Sequence, residues 1–361
     1  MTLTQITTEG IKNGTIVSTD LVTNQDFTIN SVNIGKGANS VTGNTVLGEL
    51  ALDAAVSSGN NTAIGKQALT ALTSGGENTA VGQKAMSATT TGIQNVAIGS
   101  FALELNTDGD KNVAIGYAAL DANTTADNNT AVGTAALLSN TTGVSNVAVG
   151  ANALDACTTG GSNTALGAAS LGANTTASNN TAVGHNALFA NTTGSVNTAV
   201  GAFALDACTT AGVNTAVGAY ALSATTTGVE NTAVGYEALS LSTDAGQCVA
   251  VGAYALENNV TGDRCVAIGY KAGEANLAND LVAVGWNAAI KNTSGTNNTA
   301  IGRLALKQNQ TGGSNTAIGF NCLENNTASN NTAVGFNAMI ANTTGDQNVA
   351  VGTNALDANT T

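Results

Sequence analysis

Proline is absent from the 361 residues, histidine occurs once (His185), and only 3% of the side chains are aromatic. A globular enzyme fills a thick core with large rings, and this chain has too few of them. Charged residues amount to 9%, whereas a disordered chain carries more charge and fewer Val and Leu. Between Lys111 and Arg264 there is no Lys or Arg but there are nine acids. Nucleic-acid binding needs basic side chains to neutralise phosphates, so this stretch excludes it, and it excludes attachment to an anionic membrane surface for the same reason. No run approaches eighteen apolar residues, so no membrane insertion is expected. The opening MTLTQITTEG has neither the basic nor the apolar region of a secretory signal. Cytosolic synthesis is therefore the expectation, with the five cysteines as reduced thiols.

What the chain has in quantity is one pattern. The 43 glycines fall largely in a unit N-[TV]-A-[VIL]-G-x-x-A-L-x-x-N-T-T-G-x-x that begins at Asn44 and recurs nineteen times, the last copy starting at Asn348. The spacing is 17 residues except in two 16-residue copies, which start at Cys265 and Asn315. Repeats of this length announce a solenoid. The fifth position is Gly in every copy, as expected of a corner with positive φ or a close backbone approach. N-T-A-V-G reads as a short strand with a period of two, small residues on one face and β-branched ones on the other. The ninth position is Leu or Met in seventeen copies, a second apolar contact per coil. The T-T-G segment carries turn chemistry, with hydroxyls expected to bond local backbone. The A-L segment admits a second strand or a single helical turn; the strand is the expectation.

One coil cannot bury its own apolar face, but stacked coils can, Val on Val and Leu on Leu. The fold class is therefore all-β, a parallel β-solenoid of about nineteen coils. At the usual strand spacing it makes a rod of about 90 Å. The Asn columns at positions one and twelve are expected to form ladders in which each amide donates to and accepts from its neighbours. Residues 44–361 form the array. Residues 1–43 are expected to be a cap or attachment segment, with Ser31–Gly35 as a degenerate first coil. The chain stops inside a coil, which leaves a strand edge able to pair with another chain; a partner protein or end-to-end self-assembly is expected there.

The N-x-x-A-[IV]-G core resembles the head repeats of YadA-type trimeric adhesins, and Cys265–Lys271, C-V-A-I-G-Y-K, is especially similar. The longer form, A-L-x-x-N-T-T-G-x-x-N-T-A-V-G, resembles arrays of phage tail-fibre proteins and some bacterial surface proteins. Residues Ile6–Ile16 resemble the opening of many phage virion proteins. The resemblance covers residues 44–361 and implies a left-handed parallel β-roll assembled as a homotrimeric rod. The barrel anchor and coiled-coil stalk of an autotransporter are not seen, which favours the phage form.

Chemistry has little material. His185 sits at the exposed-type sixth position without a partner for a nucleophile–base pair, and the acids are scattered rather than paired across a groove. No catalytic residue, cofactor or metal site is expected, and the chain is not expected to be an enzyme. Cys248 and Cys265 both replace the position-one Asn in adjacent coils. They are close enough for a disulfide, but parallel side chains in a reducing compartment are expected to stay as thiols. Cys157 and Cys208 replace a position-twelve Asn, and Cys322 an Ala.

Ten of the twelve aromatics lie at positions six or seven: Phe101, Tyr117, Phe203, Tyr220, Tyr236, Tyr254, Tyr270, Trp286, Phe320 and Phe336. This broken stripe is expected to pack against sister protomers or to meet a glycan receptor. A second candidate is the irregular stretch 248–297, which introduces Arg264, Lys271, Gly273, Trp286 and Lys291; repeats break their rules at function, at a kink or by drift. The function expected is a structural fibre component of a phage virion that contributes to attachment to a cell-surface glycan, with another fibre or virion protein as partner. The alternative is a bacterial surface adhesin or extracellular filament. A remote third is ice binding through the position-two Thr column.

Overall fold

The computed structural model describes residues 26–360. It is all-β: β1 (Phe27–Ile29), β2 (Val32–Gly35), β3 (Thr45–Gly48), then seventeen three-residue strands, β4 to β20, and β21 (Val349–Val351). From β3 onward each strand pairs with the next in parallel and in register, Thr164 on Thr181 and Ala165 on Ala182, for example. The nineteen strands of the array enclose eighteen turns of a solenoid. The 16-residue coils do not shift the register: Val266 pairs with Val282, and Thr316 with Thr332.

Six positions in each coil point inward: one, three, eight, nine, twelve and fifteen. The strand contributes only its central Ala to this core; Ala165 and its counterparts are fully buried. The flanking Thr or Val and the aliphatic residue at position four face outward and are half-buried to exposed. The Val column therefore runs on the outside of the rod, because period-two alternation cannot bury positions two and four once position three does so. The interior is the width of Ala against Leu.

The A-L segment is neither strand nor helix. Its seventh and ninth residues adopt left-handed conformations, such as Ala118 at φ 51° and Leu120 at φ 53°. Alternating handedness flips successive amides, so they point up and down the rod. Ala118 N–H donates to the Ser100 carbonyl of the preceding coil, and Leu120 N–H to the Ala136 carbonyl of the following one, at 3.0 and 2.9 Å. A left-handed leucine costs on the order of 1–2 kcal/mol. Full burial of its side chain returns about 1.5–3 kcal/mol, so the Leu column pays for its own backbone. The corner glycine is needed for a different reason. Gly235 has φ +140°, and a Cβ there would lie 2.6 Å from the carbonyl carbon of Gly252.

The amide ladders differ from the expected amide-to-amide stacks. At position one the side-chain oxygen accepts the backbone N–H of the next coil (Asn112 N–H to Asn95 Oδ1, 2.9 Å), while the Nδ2 donates to the position-fifteen carbonyl of its own repeat (Asn95 to Gly109, 2.8 Å). Direct amide pairing is confined there to a few coils, as at Asn78 Nδ2 to Asn61 Oδ1, 3.2 Å. At position twelve the stack is side chain to side chain: Asn123 Nδ2 to Asn106 Oδ1 at 2.7 Å and Asn140 to Asn123 at 3.2 Å. The Thr at position thirteen bonds across coils rather than locally, Thr124 Oγ1 donating to the Thr141 carbonyl at 3.1 Å.

The N-terminal end of the array is capped by a hairpin. β1 and β2 pair antiparallel across Asn30 and Ser31, both at positive φ, the two-residue connection that matches strand twist. β2 then pairs antiparallel with β3. Ser31–Gly35 thus carries β2, a strand running against the array, rather than a degenerate first coil; the nine residues 36–44 that join β2 to β3 are too few for the crossover that parallel pairing needs. The Asp26 carboxylate fixes the following bend, accepting the backbone N–H groups of Lys36 and Gly37, each at 2.6 Å. Ile6–Ile16 lies outside the described residues. Among those described, no helix is long and apolar enough to cross a membrane.

Candidate functional site

Positions six and seven follow the corner glycine, so their side chains emerge where the strand face turns into the A-L segment. In-register stacking brings residues of neighbouring coils together whether they occupy the sixth or the seventh position. Nine of the ten stripe aromatics accordingly form three groups, with Trp286 apart from them. Phe101 and Tyr117 meet edge to face at 5.7 Å between centroids. Phe203, Tyr220, Tyr236, Tyr254 and Tyr270 form a continuous run, with centroids 5.2–6.2 Å apart. Phe320 and Phe336 stack at 5.4 Å, 8° from parallel.

The same columns hold partners that the aromatic count alone overlooks. His185 meets Phe203 at 5.3 Å, extending the run by one coil. Lys84 lies over Phe101, and Lys271 over Tyr254 and Tyr270, at 5.3 and 5.8 Å. Arg303 bridges the gap between Trp286 and Phe320, its guanidinium 4.9 and 5.3 Å from the two ring centroids. The signal for these was in the sequence: all of them occupy the sixth or seventh position. Lys271 is held by Glu274 at 2.7 Å, which raises its pKa. A hydrogen bond with the Glu237 carboxylate, reinforced by desolvation, pushes the Tyr236 phenol up to about 12. The Tyr236 phenol therefore stays neutral across the physiological range.

The irregular stretch does not make one patch. Lys271 and Trp286 join the aromatic edge. Arg264 lies at position seventeen, before the strand, in a bidentate pair with Asp280 at 2.8 and 3.1 Å; the Arg264 cation holds the Asp280 carboxyl below its ordinary value. Lys291, at position eleven, donates to Gln308 Oε1 at 2.7 Å. Gly273 is not on the surface at all. It replaces a core Leu, and a Cβ there would come 3.0 Å from Leu281 Cδ2 and 3.1 Å from Leu256 Cδ2. The two departures from the repeat thus compensate: Leu281, in place of an Asn, fills the space that a leucine at 273 leaves.

The five thiols are free and buried. Burial pushes Cys157, Cys208 and Cys322 up to about 11. The neighbouring Cys265 sulfur, together with burial, raises Cys248 further. Cys248 and Cys265 donate to the carbonyls of Gly262 and Ala278 at 3.2 and 3.3 Å, which replaces the Nδ2 bond of the Asn they displace. The thiols are space-filling and unreactive in this state. Among the described residues, no three His, Cys, Asp or Glu side chains gather as a metal site would require.

No protein-family model matches the chain, and no curated protein sequence matches it. The likeness to trimeric adhesin heads and tail-fibre arrays rests on the repeat motifs themselves.

Proposed function

We propose that the chain is a structural fibre component of a phage virion, a rod whose exposed edge contributes to attachment to a host-cell glycan. The observation that carries this reading is the unbroken in-register stack. Nineteen strands pair in sequence, and the interior is filled along the stack by Ala, Leu and hydrogen-bonded Asn. A stack of this kind supplies length and stiffness rather than a reaction centre. On this reading the protein is not an enzyme, assembles as a homotrimer, joins another fibre or virion protein, and resides in the virion after synthesis in the host cytoplasm.

Trimer formation has a surface to use. The outward strand face carries Thr or Val at position two and only Val, Ile or Leu at position four over nineteen coils, with Ile98, Leu166 and Ile268 among its exposed members. Monomers rarely leave a contiguous apolar patch of more than a few hundred Å² uncovered. Light scattering and electron microscopy of the purified chain test the proposal. A discrete trimer, a rod of about 90 Å, supports it. Filaments of indefinite mass would move the assignment to a self-assembling bacterial surface polymer. A monomer would remove the trimer and return attention to the Thr column, for which thermal hysteresis is the assay.

A further inference from the structure

Arg303 is held differently from the other cations of the edge and its surroundings. Lys66, Lys84, Arg264, Lys271 and Lys307 each contact a carboxylate, and Lys291 a carboxamide. Among the described residues Arg303 has no carboxylate within ion-pair reach; it lies over the rings of Trp286 and Phe320 instead. Contacts of that kind use the faces of the planar guanidinium and leave its N–H edge available, and that edge is the part that matches a carboxylate bidentately.

The surroundings favour an anion at this place on an otherwise acidic rod. The net charge of the chain is −13, yet from Trp286 to Asn354 the sixth and seventh columns contain one charge, Arg303, and no acid. Two carboxamides flank the site at position seven. The side-chain oxygens of Asn287 and Asn321 are buried from solvent and have no hydrogen-bond donor within the chain. Buried in this way they lie out of a ligand's reach, and the two carboxamides act as neutral neighbours that leave Arg303 the one charge of the site. Trp286 and Phe336 are exposed and offer apolar surface whose electron-rich faces attract polarised C–H groups.

We infer that the Trp286–Phe336 edge is a binding site for a carboxylate-bearing saccharide chain. The sugar carboxylate takes the Arg303 fork, and its C–H faces lie on the aromatic rings. Because the residues form columns along the axis, a linear polymer lying parallel to the rod meets several of them at once. The inference rests on the fibre reading, in which such an edge is what meets a receptor.

The test uses the full chain and three polymers, polygalacturonate, dextran sulfate and dextran, with affinity measured at low and at physiological salt. The expected result is binding to polygalacturonate in preference to both others, with Arg303→Gln and Trp286→Ala each losing tenfold or more. Arg303→Lys, which keeps the charge but not the fork, should lose most of the affinity as well. These variants are compatible with folding, because the same column holds Ala202, Ala219 and Ala253 in other coils; circular dichroism and electron microscopy of each variant verify it. Absence of binding to polygalacturonate overturns the inference. So does equal binding by Arg303→Gln, or dextran sulfate binding as tightly as polygalacturonate, which would reduce the site to general charge attraction. An intact rod that binds none of the polymers leaves the fibre reading standing, whereas a compact particle that still binds through Arg303 removes the fibre reading and keeps the site.

Discussion

The position-twelve ladder makes a quantitative prediction, because cysteines stand in two of its rungs. Cys157 and Cys208 interrupt the Asn column, and the amide oxygens immediately before them, Asn140 Oδ1 and Asn191 Oδ1, are buried without a donor. In intact stretches of 17-residue coils the same oxygen accepts from the next Asn, as at Asn106 and Asn123, 2.7 and 3.2 Å; Asn309, just before the 16-residue coil at Asn315, is unpaired like Asn140 and Asn191. The thiol keeps only one of the two bonds an Asn makes, Cys157 Sγ to the Gly160 carbonyl at 3.4 Å. Substituting Cys157→Asn supplies a donor to Asn140 and an acceptor to Asn174 while retaining the bond to Gly160. Neither geometry nor volume opposes it, since Asn106 and Asn123 stand in the same place with Gly109 and Ala126 beneath them. A buried acceptor left unpaired costs about 1–3 kcal/mol and a completed bond contributes about 0.5–1.5 kcal/mol, so a gain of about 1 kcal/mol is expected at Cys157. Cys208 is a poorer site, because the next residue of its column is Thr225, whose hydroxyl already donates to the Ser242 carbonyl, so a new amide oxygen at 208 would have no Asn donor. Cys157→Asn should therefore unfold at higher urea concentration with an unchanged slope, by about 1 kcal/mol. Cys157→Ala serves as the control, because it leaves Asn140 unpaired and should not stabilise. If Cys157→Asn is no more stable than Cys157→Ala, the ladder is not an energetic device and the reasoning fails.

Other predictions follow from the same geometry. Gly235→Ala combines a positive φ with a close backbone approach and should destabilise by at least about 2 kcal/mol, read as a lowered melting temperature. Gly273→Leu and Leu281→Asn should each destabilise, the first by overpacking against Leu281 and the second by opening a cavity. The double variant, which restores the repeat, should recover more than the sum allows, with a coupling of about 0.5–3 kcal/mol in a double-mutant cycle. The thiols of Cys157, Cys208 and Cys322 are raised by burial from 9.0 to about 11. They ionise less readily folded than unfolded, so the stability they contribute is complete below pH 9 and is lost as the pH rises toward 11. Replacing all three with Ala should flatten the decline of the denaturation midpoint over that interval. At neutral pH a thiol reagent should modify the native chain slowly and all five cysteines once it is unfolded.

Much of the fold was legible because each coil faces the same constraints as its neighbours. The period, the invariant glycine and the Thr-Ala-Val alternation identify a stacked strand without reference to coordinates, and the Leu column identifies the core. The A-L segment was not legible in the same way. Leucine and alanine disfavour left-handed backbone, so nothing local announces φ 53° at Leu120; the conformation is selected by hydrogen bonds to two different coils. The same holds for Ser31–Gly35, whose N-I-G matches the repeat while its pairing direction against the array is set by the short connection that follows it. At the candidate site, counting aromatics found the rings but passed over Arg303, since a cation on a stripe of rings is seen only when the columns are read together. Gly273 and Leu281 looked like a surface irregularity because their mutual compensation lies across the interior.

The direction of the inter-coil bonds has a mechanical consequence. Strand ladders, amide stacks and the alternating Leu and Ala amides all run along the rod axis, so a load applied along that axis meets them in series rather than in parallel. The rod should yield one coil at a time, from the end that is pulled, instead of holding to a single large rupture force. Each 17-residue coil lengthens from one strand spacing to its extended contour, releasing about 50 Å. A fibre built this way absorbs a sudden pull by paying out chain in equal steps, and re-forms by stacking each coil on the one that remains.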